Sequence, residues 1–498
     1  MRPTRRPRFA LAEAKLGTRP RLAARADGLS RQVGHSDGPR LGGGAGAARF
    51  LAARGARVRI TDLKSEIELA ATIEHLHDCN QLEFHLGRHD EADFTNADLI
   101  VASPAVPRGN RFLHAAARAG VPLTSEMNLF WLHNRARVTG ITGTNGKSTT
   151  TALIGEMLTA AGRNPRVGGN IGRSLLPEVD QIGPDEDVVL ELSSFQLEDL
   201  NRIGVSPQVA VVTGFSPNHL DRHASLEEYR TAKQTILRWQ KPGDIAILNA
   251  DDPDVAGWTT RGRRLLFGRS PSGDLSARLD EESIVCELAG TNAEFSFCTM
   301  NQLPGRHNRM NAAAAALAAT VLGVDQNAVR EGLRRFRGLP HRLQLIHEVE
   351  GRRFYDDSKA TTPEAAIAAV EAFAHDQPIL LLAGGSDKGI DLSRFGAAIA
   401  RRVKAAALMG ETAPALQREI RGSSAGDGPV MHCPTDFRAA FSWIVNQSTA
   451  GDVILLSPGC ASFGWFSSFE ERGEQFASLV NSLTAESLSP SPMLSNDA

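Results

Sequence analysis

Val138-Thr-Gly-Ile-Thr-Gly-Thr-Asn-Gly-Lys-Ser-Thr-Thr150 runs an apolar, β-branched stretch into a glycine-bearing turn and places Lys147 and Ser148 at the start of a helical pattern. Gly143 and Gly146 let backbone N–H groups turn toward phosphate oxygens, and the helix N-terminus adds positive potential. In such a loop the lysine reaches the β- and γ-phosphates and the hydroxyl ligates Mg2+. Gly143, Thr144, Asn145, Gly146, Lys147, Ser148 and Thr149 are therefore expected to hold a triphosphate. The strict G-x-x-x-x-G-K-[ST] spacing is not met, because Ile141 stands five before Gly146 and the next glycine upstream of it is Gly140. The loop is a variant of that pattern.

Outward from the loop, strand candidates at Val138–Thr142, Val188–Leu192, Val209–Thr213 and Ile245–Leu248 alternate with helical runs. In the run Ser148–Ala161, Leu153, Ile154, Met157 and Leu158 share one face. Such alternation predicts an α/β protein with a parallel sheet covered on both faces. After Phe336-Arg-Gly-Leu-Pro-His-Arg342 the alternation restarts, with strands expected at Phe354–Tyr355, Ile379–Ala383, Ala405–Leu408 and Val453–Leu456. Upstream, Gly42-Gly-Gly-Ala-Gly46 leads into a helical run ending at Gly55, then a strand at Val58–Asp62, half of a nucleotide-binding βαβ unit. An apolar first strand before Gly42 is missing from this reading. Domains are expected at 42–134, 135–337 and 338–484.

Residues 1–41 are expected to be disordered or misassigned: the first forty hold nine arginines and one lysine against Glu13, Asp27 and Asp37. The Ser- and Pro-rich tail 485–498 is expected to be disordered. A net charge of −2 over 498 residues gives no broad footprint for nucleic acid or acidic membranes. The five cysteines form no C-x-x-C pair, which points to a reducing cytoplasm and away from structural zinc. No window of about eighteen apolar residues predicts a membrane span.

Ligands of open parallel sheets gather beyond the carboxyl ends of strands. Glu191 ends an apolar strand, where a charge needs a cation nearby, so it is a candidate Mg2+ ligand. His219, after the strand ending at Thr213, reads as a metal ligand, a charge-positioning group or a structural histidine. Asp62 reads as a ribose or base contact, or as a solvated strand-end carboxylate. Lys233, within the helical run Glu227–Leu237, reads by itself as a solvated surface lysine.

Seven motifs stand in order: the phosphate loop, Glu191-Leu-Ser-Ser-Phe-Gln-Leu-Glu198, Asn218-His-Leu-Asp-Arg-His223, Asn249-Ala-Asp-Asp252, Gly305-Arg-His-Asn308-Arg-Met-Asn311, Gly338-Leu-Pro-His-Arg342 and Asp356-Asp-Ser-Lys-Ala-Thr361. With them the chain resembles the Mur ligases over roughly Gly42 to Val480. The resemblance implies a Rossmann-like N-terminal domain, a central P-loop ATPase-like parallel sheet and a Rossmann-like C-terminal domain. It implies ATP-dependent ligation of D-glutamate to UDP-N-acetylmuramoyl-L-alanine through an acyl phosphate, by a cytoplasmic monomer with two Mg2+ ions.

By the same resemblance, Lys147, Lys233, His219 and Glu191 are catalytic. Ser148 and Glu191 ligate one Mg2+; His219 and a carbamylated Lys233 serve the other. The triphosphate held by Gly143–Thr149 is that of ATP, and Asn308, Asn311, Arg342 and Asp357 contact the nucleotide. Asp62, Ser103, Asn170, Ser193 and Gln196 face the UDP-substrate, and Lys359, Thr361, Lys388, Ser462 and Phe469 face the glutamate. Gly464 and Trp465 stand where this branch carries Asp and a polar residue, so the choice between L- and D-glutamate stays open. A related ligase acting on L-glutamate, a folylpolyglutamate synthetase-like activity and a P-loop switch without ligation are the alternatives. The Asn-Pro-Arg signature that the diaminopimelate-adding enzymes usually carry in the amino-acid domain is not found within residues 338–484.

Overall fold

The computed structural model describes the backbone of Arg21–Arg25 and residues 43–104, 106–107, 109–217, 223–269, 276–288, 291–296, 305–374, 376–387, 389–424, 426 and 428–483. His219, Lys388, the other residues of 1–41, and the tail 485–498 lie outside the described residues. Three sheets follow one another along the chain.

The first sheet comprises β1 (Arg21–Arg25), β2 (Arg57–Asp62), β3 (Leu82–Leu86), β4 (Leu99–Val101) and β5 (Leu123–Thr124), in the order β3-β2-β1-β4-β5 and parallel throughout. A first strand is therefore present, upstream of Gly42, which corrects the expectation that it is missing. Arg-Leu-Ala-Ala-Arg is short and bounded by arginines, so it carries little apolar pattern. Its place between β2 and β4 supplies ladder bonds on both edges instead.

The second sheet has nine strands: β6 (Arg137–Thr142), β7 (Arg166–Gly169), β8 (Asp187–Glu191), β9 (Val209–Val212), β10 (Ile245–Asn249), β11 (Arg263–Gly268), β12 (Ala277–Leu279), β13 (Ser283–Leu288) and β14 (Thr291–Ser296). Their order is β14-β13-β12-β11-β10-β9-β6-β8-β7. The strands from β7 to β12 run parallel, and β8 and β9 are buried along their whole length because helices cover both faces. The edge departs from the wholly parallel expectation, since β13 and β14 are antiparallel. Asp280 makes the first reversal by accepting the N–H groups of Glu282 and Ser283, a turn too tight for a parallel crossover.

The third sheet holds β15 (Gln344–Val349), β16 (Arg352–Asp356), β17 (Ile379–Gly384), β18 (Val403–Met409), β19 (Val430–His432) and β20 (Val453–Leu456). Their order is β15-β16-β20-β17-β18-β19, with β15 alone antiparallel.

One apolar cluster runs from Ala45, Ala48 and Phe50 of helix Gly43–Ala53 through Leu176 and Val179 to Leu190 and Val212, so the first two domains share a core. On the other face of the second sheet, Leu153, Ile154, Met157 and Leu158 are fully buried as expected, against the alanine run Ala312–Ala319. The third sheet has its own clusters, one on each face. It meets the second domain through the connection 336–343 and the polar groups described next. Among the described residues no helix is long and apolar enough to cross a membrane.

Candidate functional site

The phosphate loop leaves β6, an interior strand of the second sheet between β8 and β9, and ends in helix Lys147–Ala160. That helix is capped by Gly146 at φ 84°, with no side-chain cap. Its first N–H groups are thus left for a ligand, and the helix dipole points at the same place. A side chain at 146 would be strained by that φ and would meet Asn311 Oδ1 at 2.2 Å. Asn311 lies against the loop itself, next to the N-terminal turn that carries Asn308; both asparagines are buried.

Lys147 is half-buried and folds back, its Nζ donating to the carbonyls of Gly143 (3.0 Å) and Thr144 (2.9 Å). Burial lowers its pKa; Glu191 opposes this and Arg342 adds to it. Ser148 Oγ donates to Glu191 Oε2 at 2.6 Å, and Asn170 Nδ2 donates to Glu191 Oε1 at 2.7 Å. Glu191 is 1% exposed, so the hydroxyl and amide replace the water it has lost. Asn170, expected at the UDP-substrate, is seated on this carboxylate.

Lys233 is not a surface lysine. It is 2% exposed, donates to the Gly143 carbonyl at 2.8 Å, and lies 4.8 Å from the centre of the Tyr229 ring. Burial holds its pKa well below the ordinary lysine value, Lys147 pushes the same way and Glu191 resists. Two lysines and one carboxylate thus converge on a single turn. This donor set fits a magnesium nucleotide: carboxylate and hydroxyl oxygens for the hard cation, uncapped N–H groups and ammonium for phosphate.

The connection to the third sheet bends at Gly338, His341 and Leu343, all with positive φ. His341 Nδ1 lies 2.7 Å from Asp356 Oδ2, and the N–H of Leu343 donates to Asp357 Oδ1. Arg342, between them, is exposed, and its charge lowers the pKa values of both Lys147 and Lys359. Nucleotide loop and third domain therefore share one electrostatic neighbourhood. Lys359 Nζ lies 5.3 Å from the centre of the Phe469 ring, and burial is the main cause of its lowered pKa. Thr361 follows on the same loop after β16, while Ser462 is buried in the loop after β20. Three of the expected glutamate contacts, Lys359, Thr361 and Phe469, thus lie on or against the loop that follows β16.

Asp357 is 7% exposed, and burial pushes its carboxyl up to about 7, against donors from Ser457 and Leu343. Its folded pKa exceeds the value of 3.8 for a free side chain, so folding takes up a proton between the two. Stability present below pH ~4 is lost as pH rises through ~7. In ligand-free protein, Asp357→Asn is expected to remove that loss, gaining about 2 to 4 kcal/mol on the parent between pH ~5 and ~8. Urea unfolding across this range checks it, and parallel pH profiles would refute it.

In the first domain, Asp62 ends β2 and Ser103 follows β4, flanking the carboxyl end of β1. Asp62 is 1% exposed; Oδ1 accepts the Lys64 N–H at 2.9 Å, while Oδ2 is buried with no bond among the described residues. An unpartnered buried carboxylate oxygen at a strand end fits a ligand hydroxyl or N–H. Ser193 and Gln196 form the capping box of helix Ser194–Ile203, each side chain accepting the other's N–H. The S-x-x-Q spacing that announces this box was legible in the sequence.

Tyr229, whose ring lies beside Lys233, and Arg472, buried behind the Phe469 segment, were missed by sequence reasoning. Both sit in helices among charged neighbours, and nothing in their spacing marks them.

The Mur ligase MurD-like N-terminal domain matches residues 41–125, the Mur ligase middle domain 141–319, and the Mur ligase glutamate ligase domain 341–460. A UDP-N-acetylmuramoylalanine–D-glutamate ligase of Symbiobacterium thermophilum is 41% identical over 440 residues, 88% of this chain and 95% of that protein. A protein of the same name from a Roseiflexus species is 40% identical over 458 residues, 89% of this chain and 97% of its own. The solved UDP-N-acetylmuramate-alanine ligase MurC of Thermotoga maritima shares the fold, with a TM-score of 0.58 over 93% of this chain and 99% of its own at 18% identity. The order of three sheets, the loop after β6 and these matches, which reach 88% of the chain in the Symbiobacterium relative, agree: the chain belongs to the Mur ligase family.

Proposed function

We propose that this protein joins D-glutamate to UDP-N-acetylmuramoyl-L-alanine at the cost of ATP, in the synthesis of peptidoglycan precursors in the cytoplasm, and that it works as a monomer. The observation that carries this reading is the convergence of Lys147, Lys233 and the Ser148–Glu191 pair on the phosphate loop, facing a third domain that bears Lys359 and Phe469. A carboxylate of the sugar-linked alanine attacks the γ-phosphorus, releasing ADP and forming an acyl phosphate. The glutamate amine, as free base, then attacks the acyl carbon. The tetrahedral adduct collapses to the amide, with phosphate leaving.

Each step gathers negative charge, so the protein's part is positioned cations and donors. Lys147 exchanges its bonds to loop carbonyls for phosphate oxygens. Asn308, Asn311, Arg342 and Asp357 orient the nucleotide. Asp62 and Ser103 receive the uridine end, while Lys359, Thr361, Lys388, Ser462 and Phe469 receive glutamate. Ser148 and Glu191 would hold one Mg2+, and His219 with Lys233 the second, supplying charge neutralisation on the phosphates. The neutral Lys233 amine favoured by burial is the form that adds CO2, giving a carbamate anion suited to a metal.

Phosphate release from ATP tests the reading. Release is expected only when UDP-N-acetylmuramoyl-L-alanine and D-glutamate are both present, with L-glutamate inactive. Turnover without the UDP-substrate would sink the reading in favour of a nucleotide switch, and turnover with L-glutamate alone in favour of a sister ligase.

A further inference from the structure

Arg472, in helix Phe469–Asn481, is 1% exposed and among the described residues bonds to no carboxylate. Its Nε donates to Ser358 Oγ at 2.9 Å and a terminal nitrogen to the Ser358 carbonyl at 2.8 Å. Both terminal nitrogens approach the Cys460 carbonyl, at 3.3 and 3.4 Å. Burial brings its pKa down to about 10. A charge desolvated on main-chain carbonyls gains little stability, yet its planar fork fixes the relative position of the segments it spans.

Those carbonyls belong to different strand-end loops. Ser358 lies between Asp357 and Lys359, after β16, and Cys460 lies two residues before Ser462, after β20. Ser358 Oγ in turn donates to the Phe469 carbonyl at 2.7 Å, tying in the start of the helix. Ala461 extends the network: its carbonyl accepts the N–H of Ser386 at 3.0 Å, in the loop that leads from β17 toward Lys388. The residue after Arg472, Gly473, leaves room for His341, since a Cβ there would meet His341 Nδ1 at 2.0 Å. Arg472 and Gly473 thus reach the loops after β16 and β20 directly, and the loop after β17 is joined to them only through Ala461.

We infer that Arg472 is a positioning residue for the incoming amino acid, setting Lys359–Thr361, Ser462 and Phe469 at the spacing that binds a dicarboxylate. This rests on the proposed function. It acts through backbone and does not touch the transferred phosphoryl group, so its loss should appear in one substrate only.

Arg472→Lys keeps the charge and loses the fork; Ser358→Ala keeps the arginine and loses the hydroxyl bridge. In Arg472→Lys the KM for D-glutamate is expected to rise about tenfold or more, with the KM values for ATP and UDP-N-acetylmuramoyl-L-alanine within about twofold of the parent. Ser358→Ala is expected to give a smaller rise of the same kind, and the two changes together to fall short of the product of their separate effects. If Arg472→Lys does not fold, Ser358→Ala decides alone. An unchanged KM for D-glutamate in folded variants, or an equal rise for all three substrates, overturns the inference. A parent enzyme inactive with D-glutamate would instead overturn the proposed function, and the amino acid that does support phosphate release would then replace it in the same comparison.

Discussion

Lys147→Ala is expected to lower ATP-dependent phosphate release by at least about a thousandfold while leaving the protein folded. The charge sits at the head of helix Lys147–Ala160, where two of its donors already touch the loop that would surround the phosphates. Its removal takes away the cation nearest the transferred group, and the loss is larger in a partly desolvated site than it would be in water. Stability should not fall in parallel, because burial disfavours the ammonium in the ligand-free protein. Lys147→Arg should fail as well, since a planar guanidinium does not fit where a compact ammonium bonds two adjacent carbonyls. Steady-state phosphate release and a thermal unfolding curve check both statements. Activity within about tenfold of the parent would remove Lys147 from phosphoryl transfer.

Lys233→Ala is expected to abolish turnover to a similar degree and, unlike Lys147→Ala, to be repaired from solution. The parent amine is buried beside Lys147, and burial holds its pKa well below the ordinary lysine value, which favours the neutral form that combines with CO2. The product is an anion beside a cation, which reverses the repulsion that the two ammonium groups would exert. Acetate or propionate added to Lys233→Ala offers the same two oxygens in the space left by the side chain. Partial recovery that saturates with carboxylate concentration is the expected result, together with reduced parent activity after bicarbonate is stripped. Near-normal activity in the unsupplemented variant would refute the role. Loss without repair by any small carboxylate would leave Lys233 a structural lysine bonded to Gly143.

Much of this site was legible because its chemistry is local. Glycines, lysine and serine at fixed offsets after a β-branched run specify a phosphate loop whatever surrounds them, and Glu191 declares itself as a charge ending an apolar strand. The central strands were equally plain, since a parallel sheet covered on both faces needs uninterrupted apolar residues. Non-local employment was not legible. Lys233 and Arg472 sit in helical text such as Glu470-Glu-Arg-Gly-Glu474, where a charged residue ordinarily faces water, and only packing against distant loops buries them. Ser193 and Gln196 show the opposite case: the local S-x-x-Q signature was present, and the capping box it announces formed. Strand β1 escaped because its stability comes from both neighbours rather than from its own side-chain pattern.

That strand has a practical outcome. Because β1 is the keel of the first sheet, a gene trimmed to begin at Gly42 would leave β2–β3 and β4–β5 as separate halves with raw edges toward each other. Such material would remain a competent ATP binder through the second domain while losing its hold on the nucleotide-sugar, and its exposed edges would invite self-association. Anyone trimming the N-terminal residues for crystallisation should therefore cut before Arg21.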